Sequence, residues 1–154
     1  MTIYAGRLAR FTPIAVALVL AACSSTASPS ATSGGGGGGG GKTVNVTLSE
    51  FKIEFDTTDI PAGNVTFQVK NTGALVHEFV VFKTDDAEDK LPVESGESEV
   101  DEDDSSLTSM GEVEDVPVGG SKSFSADLAA GKYVAICNVE GHYMSGMHIA
   151  FTVQ

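Results

Sequence analysis

The sequence predicts an all-β domain, a Greek-key β-sandwich of seven to eight short strands. Apolar residues alternate with polar ones in several segments, which is the period of a half-buried strand. Clusters of Gly, Pro and Asn separate these segments, and no helical period runs longer than about two turns. The chain of 154 residues is 42% hydrophobic, which suffices for one domain with its own core.

Each strand is predicted from a local pattern. Residues 44–48, 65–69 and 124–128 alternate apolar and polar side chains, as expected of strands with one buried face. Residues 78–83 and 132–137 are denser apolar runs, as expected of inner strands. The turn signals between strands lie at residues 61–64, 71–73, 117–120 and 130–132.

The segment 128–133 resembles a tyrosine corner. In that motif a Tyr hydroxyl bonds to the backbone a few residues upstream and pins the turn between two strands. The residue concerned is Tyr133. A Tyr133 that is simply buried in the core is the alternative.

The first 22 residues have the pattern of a secretory signal peptide. Arg7 and Arg10 give a positive start, and residues 14–22 form an apolar run, far short of the roughly 20 residues that a membrane-spanning helix needs. Small residues precede Cys23. This pattern resembles the lipobox of bacterial lipoproteins, in which the Cys becomes the lipidated first residue of the mature chain. Ordinary cleavage nearby, with Cys23 incidental, is the alternative.

Residues 23–41 are rich in Ser, Thr, Ala and Pro and end in eight consecutive glycines. We expect a flexible tether, because this composition cannot bury apolar area. Residues 42–154 then form the folded domain, a monomer anchored by lipid to the cell membrane on its extracytoplasmic side. With Cys23 lipidated, Cys137 lacks a disulfide partner, and a lone thiol in an oxidising compartment is expected to be buried or ligated.

The charge is strongly acidic, with 21 Asp and Glu against nine Lys and Arg and a net charge of −12. Nucleic acid binding is excluded because phosphate neutralisation needs clustered basic residues. Fourteen of the acidic residues lie in an insertion at residues 85–115. We expect a solvated, self-repelling loop there. A binding role is the less favoured alternative, since the run lacks the ordered oxygen ligands of a calcium loop.

Cys137, His142 and Met147 follow the pattern Cys-x4-His-x4-Met. Cys137 ends an apolar strand, His142 lies in a loop and Met147 begins the next apolar run, so one hairpin can bring three side chains to a point. A fourth ligand must come from a distant strand, and His77 is the candidate. Thiolate, thioether and imidazole donors favour copper over zinc. His148 adjoins Met147, points to the opposite face and is expected not to bind.

These segments resemble the copper-binding stretches of the cupredoxins, the family of plastocyanin, azurin, auracyanin and rusticyanin. The spacing is closest to that of the last two, and the resemblance spans residues 42–154. It implies one type 1 copper ion with His77, Cys137 and His142 as equatorial ligands and Met147 as the axial ligand. Many family members have Asn or Ser directly after the first His, whereas this chain has Glu78.

The resemblance implies a carrier of single electrons between larger redox proteins. Copper storage or delivery with the same ligands is the alternative, which the few Met residues outside the ligand loop disfavour. An enzyme is not expected. A copper enzyme related to this family would need a second, His-rich copper site, and after His77 and His142 are assigned only His148 is left for it.

Leu75, Val76, Tyr143 and Met144 are expected to form an apolar docking patch around an exposed edge of His142, through which electrons enter or leave. An uncharged patch lets a partner approach at little desolvation cost. The acidic insertion would lie aside from this patch and steer a redox partner with a basic face.

Overall fold

The computed structural model describes residues 41–154. The predicted signal peptide at 1–22, the lipidation site Cys23 and all but the last residue of the tether at 23–41 lie outside the described residues. No helix within 41–154 is long and apolar enough to cross a membrane. The chain forms eight strands and one 3-10 turn. These are β1 (Lys42–Ser49), β2 (Lys52–Phe55), β3 (Gly63–Asn71), β4 (His77–Lys83), β5 (Thr108–Val116), β6 (Ser121–Leu128), β7 (Gly131–Ile136), the 3-10 turn (Tyr143–Ser145) and β8 (His148–Val153).

The strands form two four-stranded sheets that pack face to face. The first sheet has the order β2-β1-β3-β6 and the second the order β5-β4-β7-β8. β1 pairs with β3 in parallel, and the other neighbouring strands pair antiparallel. Each sheet therefore mixes strands from both halves of the domain. The predicted all-β sandwich is confirmed, with eight strands.

The main core fills the space between the two sheets. Alternate side chains of β1 and β3 point into it, as the period of two in the sequence predicted. Phe67 of β3 meets Phe79 of β4 across the core, with ring centroids 5.5 Å apart. Burying one such ring stabilises the fold by about 1.5–3 kcal/mol. The sandwich is thus a rigid support for the loops at its ends.

Tyr133 forms the predicted tyrosine corner. Its hydroxyl donates a hydrogen bond to the carbonyl oxygen of Ala129 at 2.7 Å, and its ring is buried. The bond joins β7 to the turn that precedes it. This turn lies at the start of β7, and the opposite end of β7 leads into the Cys-x4-His-x4-Met loop.

The acidic insertion keeps its acidic side chains exposed or half-buried, as expected of a solvated loop, but the segment is also anchored in a core. Leu91, Val100 and Leu107 are buried in a second core cluster on the outer face of β4 and β7. The side chain of Asn138 also accepts a hydrogen bond from the Val100 N–H at 2.7 Å and donates one to its carbonyl at 3.1 Å. The last part of the insertion is strand β5. The sequence did not predict this anchoring, because the three apolar residues that provide it are widely spaced and form no periodic pattern.

Candidate metal centre

Strand pairing brings two of the predicted ligands together from distant parts of the chain. His77 is the first residue of β4, and Cys137 directly follows the last residue of β7. β4 and β7 are antiparallel neighbours in one sheet, with Val80 opposite Ile136. The start of β4 therefore lies beside the end of β7. A separation of 60 residues in sequence is closed by the sheet register alone.

The donor atoms of three predicted ligands converge on one buried point. Nδ1 of His77 lies 3.3 Å from Nδ1 of His142, and Sγ of Cys137 lies 3.8 Å and 3.3 Å from these two nitrogens. All three side chains are buried. Three donors about 2.0–2.3 Å from one ion and spread at 120° would lie about 3.5–3.8 Å apart. The observed spacing fits trigonal coordination of a metal ion.

The loop that carries Cys137, His142 and Met147 is closed by its own backbone. The N–H of Cys137 donates to the carbonyl of Met147, and the N–H of Met147 donates to the carbonyl of His142, both at 3.0 Å. Gly146 takes a left-handed conformation, with φ of 96°, which ends the 3-10 turn and returns the chain toward β8. Met147 is fully buried in the same core cluster as Cys137. Together with His77, these residues are arranged as a blue copper site.

A backbone N–H group donates to the sulfur of Cys137. The N–H of Glu78 bonds to Sγ at 3.3 Å. Burial is the largest influence and raises the pKa of the thiol, while this hydrogen bond and the nearby N–H of Val139 act against that rise because they favour the thiolate. A metal that binds here would displace the thiol proton, and the resulting thiolate is a soft ligand suited to copper. Because only its backbone N–H is involved, Glu78 can fill the position that Asn or Ser takes in other cupredoxins.

The two imidazoles are kept neutral by their surroundings. Burial is the main cause that lowers the pKa of both His77 and His142, and the proximity of His142 lowers that of His77 further. A neutral imidazole has one bare nitrogen, which is the form that binds a metal. The Nδ1 atoms are the ones that face the Cys137 sulfur. With the proton on the other ring nitrogen, each Nδ1 is free to bind, and the site offers two imidazole nitrogens and a sulfur that would bind as a thiolate.

Glu50 was not singled out by the sequence analysis, yet it lies beside His77. One of its carboxylate oxygens accepts hydrogen bonds from the N–H groups of Ala74 and Leu75, and the same oxygen lies 3.9 Å from Nε2 of His77. The bond from Ala74 is the largest cause that holds the pKa of Glu50 below its usual value. No pattern marks this residue among the 21 acidic ones, because its role depends on the fold of the turn after β1.

Four large apolar side chains are exposed in the segments next to the predicted ligands, and we call them the apolar patch. They are Phe51, Leu75, Val76 and Met144, which are 45–63% exposed. The ring of Phe51 packs edge-on against His142, with centroids 5.5 Å apart. The predicted exposed edge of His142 is therefore mostly covered, and the residue is 8% exposed. Phe51 was missed by the sequence analysis because it sits in a tight turn with a positive φ of 58°.

Tyr143 does not belong to this patch, contrary to the sequence-based prediction. It is 4% exposed, and its hydroxyl accepts a hydrogen bond from the N–H of Leu91 at 2.9 Å. The ring therefore locks the ligand loop onto the acidic insertion. His148 packs against Tyr143 with ring centroids 5.3 Å apart and lies outside the ligand cluster, as predicted.

An acidic cluster surrounds Glu78, the residue that directly follows the predicted ligand His77. Its members are Glu78, Glu99, Glu102, Glu112 and Glu114. Burial is the largest cause that raises the pKa of Glu78 to about 7, and the other four carboxylates raise it further. Glu102 is not part of the ligand cluster; its carboxylate accepts a hydrogen bond from the Asn138 amide at 2.8 Å. Most of this cluster comes from the insertion, which the fold thereby brings next to the ligands.

Several solved structures are similar to the chain, whereas no curated protein sequence matches it. Auracyanin from Roseiflexus castenholzii is 24% identical with a TM-score of 0.55, covering 75% of this chain and 99% of its own. Auracyanin A from Chloroflexus aurantiacus, a blue copper protein, is 26% identical with a TM-score of 0.55, covering 75% of this chain and all of its own. Rusticyanin from Thiobacillus ferrooxidans is 23% identical with a TM-score of 0.51, covering 75% and 79%.

The profile of the sulfocyanin (SoxE) domain family matches residues 52–154. This range contains His77, Cys137, His142 and Met147, together with seven of the eight strands. Cupredoxin relatives bind one type 1 copper ion and transfer electrons with it. The donor set described above is the one such an ion requires. The chain belongs to the sulfocyanin (SoxE) family of cupredoxins.

Proposed function

We propose that this protein carries single electrons between larger redox proteins on the extracytoplasmic side of a membrane. The observation that supports it is the buried convergence of two imidazole Nδ1 atoms and the Cys137 sulfur within 3.8 Å of one another. His77, Cys137, His142 and Met147 would hold the copper ion, with two imidazoles, a thiolate and a thioether as its ligands. Copper in such a site supplies reversible one-electron chemistry.

The protein's own contribution is to keep the donors fixed and dry. His77 and Cys137 are attached to paired strands, and two backbone hydrogen bonds close the loop that carries the other two ligands. Rigid donors need little rearrangement when the charge at the centre changes, which lowers the barrier to electron transfer. Burial of all four side chains excludes water from the ligands.

The burial of the sulfur ligands favours a carrier over a copper delivery protein. A delivery protein must pass its metal to a partner, which requires Cys or Met ligands that the partner can reach. Cys137 and Met147 have no exposed surface. We further propose that the protein is not an enzyme. A second, His-rich copper site would have only His148 left in the sequence, and His148 packs against Tyr143. We also propose that the protein acts as a monomer.

The apolar patch is the surface at which we expect redox partners to dock. Phe51 packs against His142, and Leu75, Val76 and Met144 are exposed within two residues of the ligands His77 and His142. We therefore expect the His142 imidazole to be the route by which electrons pass between this surface and the centre. Apolar side chains are desolvated at little cost, so a partner can come close. The acidic cluster would attract a partner with a basic face over a longer range.

The visible spectrum of the copper-loaded protein tests the proposal. Addition of Cu(II) to the domain at residues 42–154 should produce an intense thiolate-to-copper charge-transfer band. Cys137→Ser should abolish that band, because the oxygen of Ser cannot supply the thiolate. Cys23→Ser, made in the full chain, is the matched control and should leave the band unchanged. A colourless copper complex of the wild-type chain would contradict the proposal.

Membrane attachment through Cys23 is a separate proposal, which the lipobox pattern supports. Cys23→Ala should release the protein from the membrane fraction and leave the copper spectrum unchanged. More than one acyl chain is needed for stable anchoring, since a single chain binds only marginally. Fractionation of cells that express the two chains measures the effect. Continued membrane association of the Cys23→Ala chain would contradict the lipoprotein assignment.

A further inference from the structure

The outer nitrogen of His77 stands out in the metal centre. Nε2 of His77 is buried and has no hydrogen-bond partner among the described residues. When Nδ1 binds a metal, Nε2 carries the proton and becomes a hydrogen-bond donor. Metal-binding histidines almost always direct this donor at a carboxylate, a carbonyl or a water molecule. A buried N–H without an acceptor destabilises the structure, because the hydrogen bond that it makes to water in the unfolded chain is not replaced.

Glu50 provides the nearest carboxylate. Its Oε1 atom lies 3.9 Å from Nε2, which is an electrostatic contact and too long for a hydrogen bond. The same atom is held by the N–H groups of Ala74 and Leu75, in the loop that leads into His77. The carboxylate is therefore fixed relative to the ligand that it faces. A small movement of the ring or of the partly exposed Glu50 side chain would close the gap.

Gly73 makes this approach possible. A Cβ atom at position 73 would lie 2.5 Å from Oε1 of Glu50 and 3.0 Å from Nε2 of His77. The first distance would force the Glu50 side chain to move, and the second is tighter than nearly all Cβ contacts in proteins. The absence of a side chain at this point thus opens the space in which the carboxylate and the imidazole face each other.

We propose that Glu50 is a positioning residue for the metal centre. Its carboxylate selects the His77 tautomer with the proton on Nε2, orients the ring so that Nδ1 faces Cys137, and places a negative charge behind the ligand. That charge stabilises the oxidised, more positive state of the centre and lowers its reduction potential. This inference rests on the proposed copper site. It adds a residue from the turn between β1 and β2, outside the ligand loops.

Two variants separate the charge of Glu50 from its hydrogen bonds to the loop. In Glu50→Gln the amide oxygen can still accept from Ala74 and Leu75, but the negative charge is gone. Glu50→Ala removes both. Glu54→Gln is the matched control, because Glu54 lies on the adjacent strand β2, is exposed and loses the same charge. The readouts are copper affinity by chelator competition, the reduction potential by voltammetry, and exchange of the His77 Nε2 proton by NMR in the diamagnetic copper(I) protein.

We expect Glu50→Ala to weaken copper binding by about 10–100-fold, as for other residues that orient a metal ligand. Glu50→Gln should raise the reduction potential and speed exchange of the Nε2 proton, while Glu54→Gln changes neither. If Glu50→Gln keeps the wild-type potential and proton exchange, Glu50 only fastens the loop and the inference is wrong. A wild-type protein without the charge-transfer band would instead contradict the proposed function, so the two failures are distinguishable.

Discussion

Two surfaces of opposite chemistry flank His77. The residue before it, Val76, belongs to the exposed apolar patch, and the residue after it, Glu78, belongs to the acidic cluster. Val76 directly precedes β4 and Glu78 is the second residue of that strand, so the ligand between them, His77, borders both surfaces. The two surfaces have to act differently, because an apolar contact works only when surfaces touch, whereas charge also acts at a distance.

The difference suggests a division of labour. The apolar patch lies against His142, the ligand next to the surface, and is suited to close docking. The acidic cluster is suited to attracting a partner before contact, within a Debye length of about 8 Å at physiological salt. Salt dependence therefore separates their contributions. Changes in the patch should act at any ionic strength, and changes in the cluster only at low ionic strength.

Met144→Lys should have the largest effect. A Lys in the patch would be buried without a partner on docking, so self-exchange of electrons between oxidised and reduced copies should slow by about tenfold or more. NMR line broadening measures this rate at low and high salt. Ala62→Lys is the control, because it adds the same charge at the exposed start of β3, opposite the metal centre. Equal rates for the two variants at high salt would contradict the proposal that the apolar patch is the docking surface.

Glu112→Gln combined with Glu114→Gln should have a smaller effect that depends on salt. Both side chains are exposed on β5 next to Glu78. Electron transfer from the copper(I) protein to the cationic oxidant ruthenium hexaammine should slow by about threefold at low salt and not at all at high salt. The effect is small because exposed pairs of opposite charges contribute only about 0.2–1 kcal/mol. The variant Glu54→Gln with Asp59→Asn removes the same charge elsewhere. If both variants slow the reaction equally, net charge rather than the cluster attracts the oxidant.

Most of the fold and three of the four predicted ligands follow from short-range pattern. The period of two fixed which faces of β1, β3 and β6 are buried, and the spacing of Cys137, His142 and Met147 defined a loop that could close on itself. His77 was within reach of prediction because the chain has only three histidines. Such features depend on residue types at fixed intervals, which a sequence displays directly.

The parts that could not be predicted depend on contacts between distant segments. Tyr143 was expected at the surface as part of a loop, yet the insertion folds over it and supplies the N–H of Leu91. Glu50 and Phe51 reach the centre only because the turn after β1 lies against the His77 loop. Neither residue type nor spacing indicates those contacts. A charge-rich insertion also hides the three apolar residues that anchor it.

The smallest expected effect concerns stability in the copper-free protein, where the two neighbours His77 and Glu78 respond to pH with opposite signs. Burial lowers the pKa of His77, so the unfolded chain binds more protons below about pH 6.5, and this contribution to stability is lost as pH falls. The pKa of Glu78 is raised from 4.5 to about 7, so its contribution to stability is lost as pH rises through that range.

Glu78→Gln should therefore raise the free energy of unfolding at pH 8, with the gain shrinking toward pH 4.5. Urea unfolding at several pH values measures this gain, with Glu54→Gln as the exposed control. A gain that is the same at pH 5 and pH 8 would mean that packing, and not the charge of Glu78 within the acidic cluster, is responsible.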